Sequence, residues 1–167
     1  MADQIRVNQR ENLGLAIIQA RKGVDAAAIG AALGVKMPEG PGRSGDAHLS
    51  IIGTGPGAWF LVADDSSDDW AELLEKQLAG LASVFDQSSG YKVLRVSGSS
   101  ARRLLQAGAS LDLASVRFGA GDAASTMIGH INVLFWQSEN EQCFDIAFYR
   151  SYAASLHHWI DMNAAAL

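Results

Sequence analysis

The sequence predicts an α+β fold, with helices packed on mainly antiparallel sheets. Three observations lead there. Short apolar or alternating runs recur along the chain and are joined by glycine turns, as in residues 48–63, which is the pattern of hairpins. Between them lie a few stretches with helical spacing and capping residues. Strand pairs followed by helices then come twice over, with the two halves alike in element order and not in residue identity.

Residues 1–12 (MADQIRVNQREN) are polar and are expected to form a flexible arm. Residues 13–19 (LGLAIIQ) read as a strand that Gly23 breaks. Asp25 can cap a short helix in which Ala28, Ile29, Ala32 and Leu33 share a face, with Gly34 past its end. Residues 36–45 (KMPEGPGRSG) hold two prolines and three glycines and read as a mobile loop. Residues 48–53 and 58–63 are strands. Ser66 or Ser67 then opens a helix whose first turn carries Asp68 and Asp69, where carboxylates complement the helix dipole. Trp70, Leu73, Leu74, Gln77 and Leu78 recur at helical spacing and mark its core face.

In the second half, residues 81–86 and 91–97 are strands. The latter sets Val93, Arg95 and Ser97 against Leu94, Val96 and Gly98. Ser99 or Ser100 is placed to cap a helix with Ala101, Leu104, Leu105 and Gly108 on one face, and Gly108 suits a left-handed helix end. After a loop at residues 119–121, strands are expected at 123–129, 130–137 and 142–148. The run 131–136 (INVLFW) lacks alternation, as in a strand covered on both faces. Ser151 caps a final helix with Tyr152, Leu156, Trp159 and Ile160 along one face. Residues 13–167 thus form a single unit of two halves, about 13–80 and 81–167.

Composition excludes several classes. A hydrophobic content of 49% and a charged content of 19% argue against disorder. A net charge of −5 with scattered arginines argues against nucleic acid or an anionic membrane as partner. No apolar run approaches the roughly 20 residues of a membrane span. The polar start lacks a signal core, and the single Cys143 fits a reducing compartment, so a cytoplasmic location is expected.

No catalytic constellation stands out. Gly53-Thr54-Gly55-Pro56-Gly57 is followed by a strand, whereas a phosphate cradle opens a helix, so it reads as a hairpin turn. His48, His130, His157 and His158 lack metal-ligand spacing. Cys143 reads as a packed strand thiol, and a nucleophilic role would need the fold to bring it a base such as His130. The pairs Asp64–Asp65 and Asp68–Asp69 read as turn and cap residues, and Trp59, Trp70, Trp136 and Trp159 as core. Arg150-Ser151-Tyr152 sits at a strand-to-helix junction where an arginine can dock a carboxylate or phosphate. Arg150, Tyr152 and Trp159 are the candidate partner contact, with catalytic and metal residues none and cofactor-binding residues open.

Several motifs follow one another in a specific order. They are Gly57-Ala58-Trp59-Phe60-Leu61-Val62, Asp86-Gln87-Ser88, Val96-Ser97-Gly98 with residues 101–105, and Leu111-Asp112-Leu113. Phe118, Gly121, Ser125-Thr126-Met127 and Phe148-Tyr149-Arg150-Ser151-Tyr152 with Trp159-Ile160 complete the series. From Leu13 onward this order resembles the gamma-subunit family of heterotetrameric sarcosine oxidase. That family in turn is similar to the folate-binding region of the glycine-cleavage T-protein.

The resemblance implies duplicated, strand-swapped β-β-α-β-β-β-α halves. It implies larger alpha and beta subunits and a small delta subunit as partners. Flavins, NAD and tetrahydrofolate are then expected in those partners and none in this chain. The implied function is a non-catalytic, structural role in oxidative demethylation of sarcosine, with the one-carbon unit passed to tetrahydrofolate. The alternative is a stand-alone folate-binding or aminomethyltransferase-like protein. T-proteins carry an acidic pair after the strand matching Thr126-Met127, where this chain reads Gly129-His130-Ile131-Asn132-Val133. It also lacks the Lys-Gly-Cys-Tyr-type motif of other folate-binding relatives, so autonomous aminomethyl transfer is not expected. Asp86 and Asp112 remain, each with a turn or helix-start role.

Overall fold

The computed structural model describes residues 5–46, 48–114, 116–138 and 142–167. The first half of the chain runs β1 (Arg6–Gln9), β2 (Gly14–Ala20), α1 (Ala26–Leu33), β3 (Arg43–Gly45), β4 (Leu49–Gly55), β5 (Ala58–Ala63) and α2 (Trp70–Gln77). The second runs β6 (Ala82–Asp86), β7 (Tyr91–Ser97), α3 (Ala101–Gln106), β8 (Ala123–Ile128), β9 (Ile131–Gln137), β10 (Cys143–Tyr149) and α4 (Ala153–Ala164). Each half is therefore β-β-α-β-β-β-α.

The strands form two antiparallel sheets, ordered β3-β4-β5-β2-β6 and β8-β9-β10-β7-β1. The two orders match position for position once the first strand of each half is exchanged. β6 pairs with β2 of the first half, and β1 pairs with β7 of the second. This exchange corrects the expectation of a flexible arm: residues 6–9 are an edge strand, with Val7 opposite Val96. The chain divides into two compact units, residues 11–89 and residues 1–10 with 90–167.

In the unit of residues 11–89, Ala16, Ile18, Ile29, Ile51, Leu61 and Leu78 form the core. Asp25 caps α1 as the sequence predicts, its Oδ1 accepting the Ala28 N–H at 2.8 Å. Gly34 ends that helix at φ 71°, a left-handed position that glycine occupies without a Cβ clash. The 36–45 segment is not wholly loop. Residues 43–45 pair with β4, and Trp59 Nε1 donates to the Pro38 carbonyl at 2.8 Å. The second helix begins at Trp70 and not at Ser66 or Ser67. Ser67, Asp68 and Asp69 form a preceding turn in which Ser67 Oγ donates to Asp69, and no side chain caps the helix. Leu74 and the C-cap residue Leu78 turn inward, whereas Leu73 and Gln77, expected on the same core face, are exposed.

In the other unit, Leu94, Val96, Leu104, Leu105, Phe135 and Phe144 anchor the core, with the Phe135 and Phe144 rings stacked at 5.4 Å. Ala101, Leu104 and Leu105 share the buried face of α3 as predicted. Neither Ser99 nor Ser100 caps it: Ser100 lies at φ −101°, ψ 3°, away from the extended conformation that aims a side chain at the first-turn N–H groups. Ser151 likewise falls inside a 3₁₀ turn, Arg150–Tyr152, and α4 has no side-chain cap. β9 is covered on both faces as expected, with Val133 and Phe135 in the core and Leu134 and Trp136 also buried.

Candidate functional site

The residues predicted to meet a partner separate into two settings. Arg150 and Tyr152 lie on the 3₁₀ turn and both are exposed. The turn is fixed to the residue before β7 by the Arg150 N–H, which donates to the Gly90 carbonyl at 2.9 Å. Tyr149, also exposed, stands opposite Tyr91 in the β7–β10 ladder with ring centroids 4.5 Å apart. Partial burial, together with the hydrogen bond its hydroxyl donates to the Tyr149 side chain, pushes the Tyr91 phenol above its usual pKa. An arginine among phenolic rings has the composition of an interface hot spot.

Trp159 is elsewhere. Its indole covers two glycines, and a Cβ built at Gly129 would lie 2.6 Å from the ring. Gly108, assigned a left-handed helix end from sequence, has no positive φ; its lack of a side chain serves the same close approach to Trp159. Gly129 and His130, at φ 56° and 66°, make the two-residue turn between β8 and β9. Positive φ at both positions is the type I′ geometry that suits hairpin twist.

That turn also separates His130 from Cys143. His130 precedes β9 while Cys143 opens β10, beside the far end of β9, where Phe144 pairs with Gln137. The seven residues between them span about 20 Å. Cys143 and His130 are therefore not brought together. Asp86 and Asp112 both build turns. Asp86 Oδ1 accepts the Ser88 N–H at 2.9 Å and the Ser88 hydroxyl at 2.7 Å, and Asp112 Oδ1 accepts the Ala114 N–H at 2.9 Å. Ser88 Oγ also accepts the Leu15 N–H at 3.0 Å, which ties the turn to β2. Among the described residues no group of three or more His, Cys, Asp or Glu side chains is placed to hold a metal. Gly53 and Gly55 lie in β4 with a bulge between them, and Pro56-Gly57 make the β4–β5 hairpin turn.

One charged group escaped sequence reasoning. Asp145, in the middle of β10, is 1% exposed. Arg95 grips it with two bonds of 2.8 Å, and Arg10 adds a third at 3.1 Å. The available signal was an aspartate inside the apolar run Phe144–Phe148, opposite Arg95 in the neighbouring strand. A buried carboxylate held by guanidinium forks is a structural fixture of high cost if broken.

The model of the sarcosine oxidase, gamma subunit family matches residues 19–166. The chain belongs to this family. Among solved structures, heterotetrameric sarcosine oxidase from Corynebacterium sp. U-96, in complex with pyrrole 2-carboxylate, is similar at 26% identity with a TM-score of 0.87. That alignment covers 98% of this gamma-family chain and 87% of the other. Aminomethyltransferase T of the glycine cleavage system from Bartonella henselae shares the fold, with a TM-score of 0.69 at 16% identity. There the alignment takes in 94% of this chain but 45% of the aminomethyltransferase. No curated protein matches the sequence. The family match includes Arg95, Asp145, Arg150, Tyr152 and Trp159, and leaves Arg10 outside.

Proposed function

We propose that this chain is a non-catalytic gamma subunit of a heterotetrameric sarcosine oxidase, with a structural role in assembly. The family match over residues 19–166 carries the reading. The side chains support it, since Asp86 and Asp112 are committed to turns and Asp145 to two arginines. The partners are the larger alpha and beta subunits and the small delta subunit. Flavins, NAD and tetrahydrofolate belong to those partners, which carry out the oxidative demethylation of sarcosine and pass the one-carbon unit to tetrahydrofolate. A cytoplasmic location is part of this reading. No helix of the described residues is long and apolar enough to cross a membrane. Arg150 and Tyr152 contribute a polar-aromatic contact to a partner.

Co-expression of the other subunits with and without this chain tests the reading. Assembly and sarcosine oxidation are expected to fall when the chain is omitted. A fully assembled, fully active oxidase lacking it would overturn the proposal. Calorimetry of the isolated chain with tetrahydrofolate adds a second arm, in which binding heat would favour a folate-binding protein in its own right.

A further inference from the structure

β6 ends the sheet order β3-β4-β5-β2-β6, so one side of it has no strand partner among the described residues. The ladder fixes which main-chain groups face that side. Arg21 N–H donates to the Leu81 carbonyl at 2.9 Å, and Gln87 N–H donates to the Leu15 carbonyl at 2.7 Å. Between these bonds the register pairs Gln19 with Ser83 and Ile17 with Phe85. Successive residues of an antiparallel strand alternate between facing the partner and facing away. Ser83 and Phe85 therefore commit their main chain to β2, while the N–H and C=O of Val84 and Asp86 point to the open side. Ala82 N–H, which also faces that way, is taken by the Leu78 carbonyl at 3.1 Å.

The side chains give this edge a character. Phe85 is 53% exposed, whereas Val84 packs against the core. Where the strand ends, Asn12, Ser66, Asp68, Trp70, Asp86 and Ser88 line a pocket of about 250 Å³. Both charged residues among its walls are aspartates, so it favours a cationic group.

Natural sheet edges are usually blunted by charge, proline, bulges or covering segments. The other edges here follow that rule. β1, the counterpart of β6, reads Arg-Val-Asn-Gln. β3 is three residues long, and Ala109 bridges to Ile128 at the end of β8. β6 has an exposed phenylalanine and none of these protections before Asp86.

We propose that β6 is the docking edge for an extended segment of a partner subunit, which adds as a further strand beside Val84 and Asp86. An apolar side chain of that segment packs on Phe85, and a lysine or arginine enters the pocket between Asp68 and Asp86. Main-chain bonds supply affinity in such strand addition, and the alternate side chains supply specificity. The proposal rests on the subunit reading above.

Hydrogen exchange on the isolated chain and on the co-expressed complex tests it. The Val84 and Asp86 amides are expected to exchange readily in the isolated chain and to slow by about tenfold or more on assembly. Phe85→Asp is expected to weaken capture of the larger subunits by about tenfold or more, the scale of a lost hot spot. Val84→Pro removes an N–H that the sheet does not use and should do the same with the fold intact. Should the proline variant unfold, Phe85→Asp and the exchange data decide. A complex that forms with both amides still unprotected, or with Phe85→Asp assembling like the parent, sinks strand docking and leaves the subunit reading standing. Failure of the unmodified chain to enter any complex sinks both. Self-association of the isolated chain that Phe85→Asp abolishes, seen by light scattering, would make the occupant a second copy and overturn the choice of partner.

Discussion

Trp159 and Arg150 were grouped by sequence as a partner contact, and their physical roles differ. Trp159 fills space above Gly108 and Gly129, so replacing it leaves a void and frees a turn. Trp159→Ala should cost about 3 kcal/mol, and Gly129→Ala, which combines a positive φ with a clash on the indole, about 2 kcal/mol. Arg150→Ala and Tyr152→Ala should change stability by no more than about 0.5 kcal/mol, because both side chains are exposed. Urea unfolding measures all four, and assembly with the larger subunits should respond to Arg150 and Tyr152 instead. Tyr91 makes a separate pH prediction. Burial holds its phenol neutral to higher pH than in the unfolded chain. Its contribution to stability is thus whole below about pH 10 and is lost as pH rises through the folded pKa. Phenolate absorbance should show one tyrosine titrating late, and Tyr91→Phe should remove that late step. Asp145 marks the limit of reading residues singly. Its role depends on Arg10 and Arg95, which lie 135 and 50 positions away in sequence.

At the level of elements, what was legible is what is local. The buried faces of α1 and α3, the β7 alternation and the Asp25 cap all rest on residues a few positions apart, and the structure agrees with each. Serines written in the same capping position failed at α3 and α4, because a cap needs an extended backbone that composition does not specify. Asp25 has that backbone, at φ −89° and ψ 167°. Asp25→Ala should therefore cost about 1 kcal/mol and Ser100→Ala no more than about 0.5 kcal/mol, both by chemical denaturation. A Ser100 effect as large as that of Asp25 would contradict the cap geometry. The short strands β1 and β3 were illegible for a different reason. Their stability comes from pairing with β7 and β4 and not from their own residues, which are polar or glycine-flanked.

For the whole molecule, the exchange of first strands is the feature that element order alone hides. Counting strands along the chain puts β6 with the second half, whereas hydrogen bonding puts it with β2. The same exchange gives residues 5–10 a structural job in the sheet of residues 90–167. Ile5 and Val7 pack on that core, Arg10 N–H donates to the Val93 carbonyl at 2.9 Å, and the Arg10 side chain reaches Asp145. Removing residues 1–10 strips the outer strand from β7 and one arginine from a buried carboxylate. The loss should be about 3 kcal/mol, from two partly buried aliphatic side chains and one ion pair. It should also be confined to one unit. Hydrogen exchange is expected to quicken in β7 and β10 and to remain as before in β4 and β5, whose ladder does not involve the deleted residues. A flexible arm would leave both sets of amides unchanged on deletion, and equal acceleration in the two sets would mean that the units do not hold their structure separately.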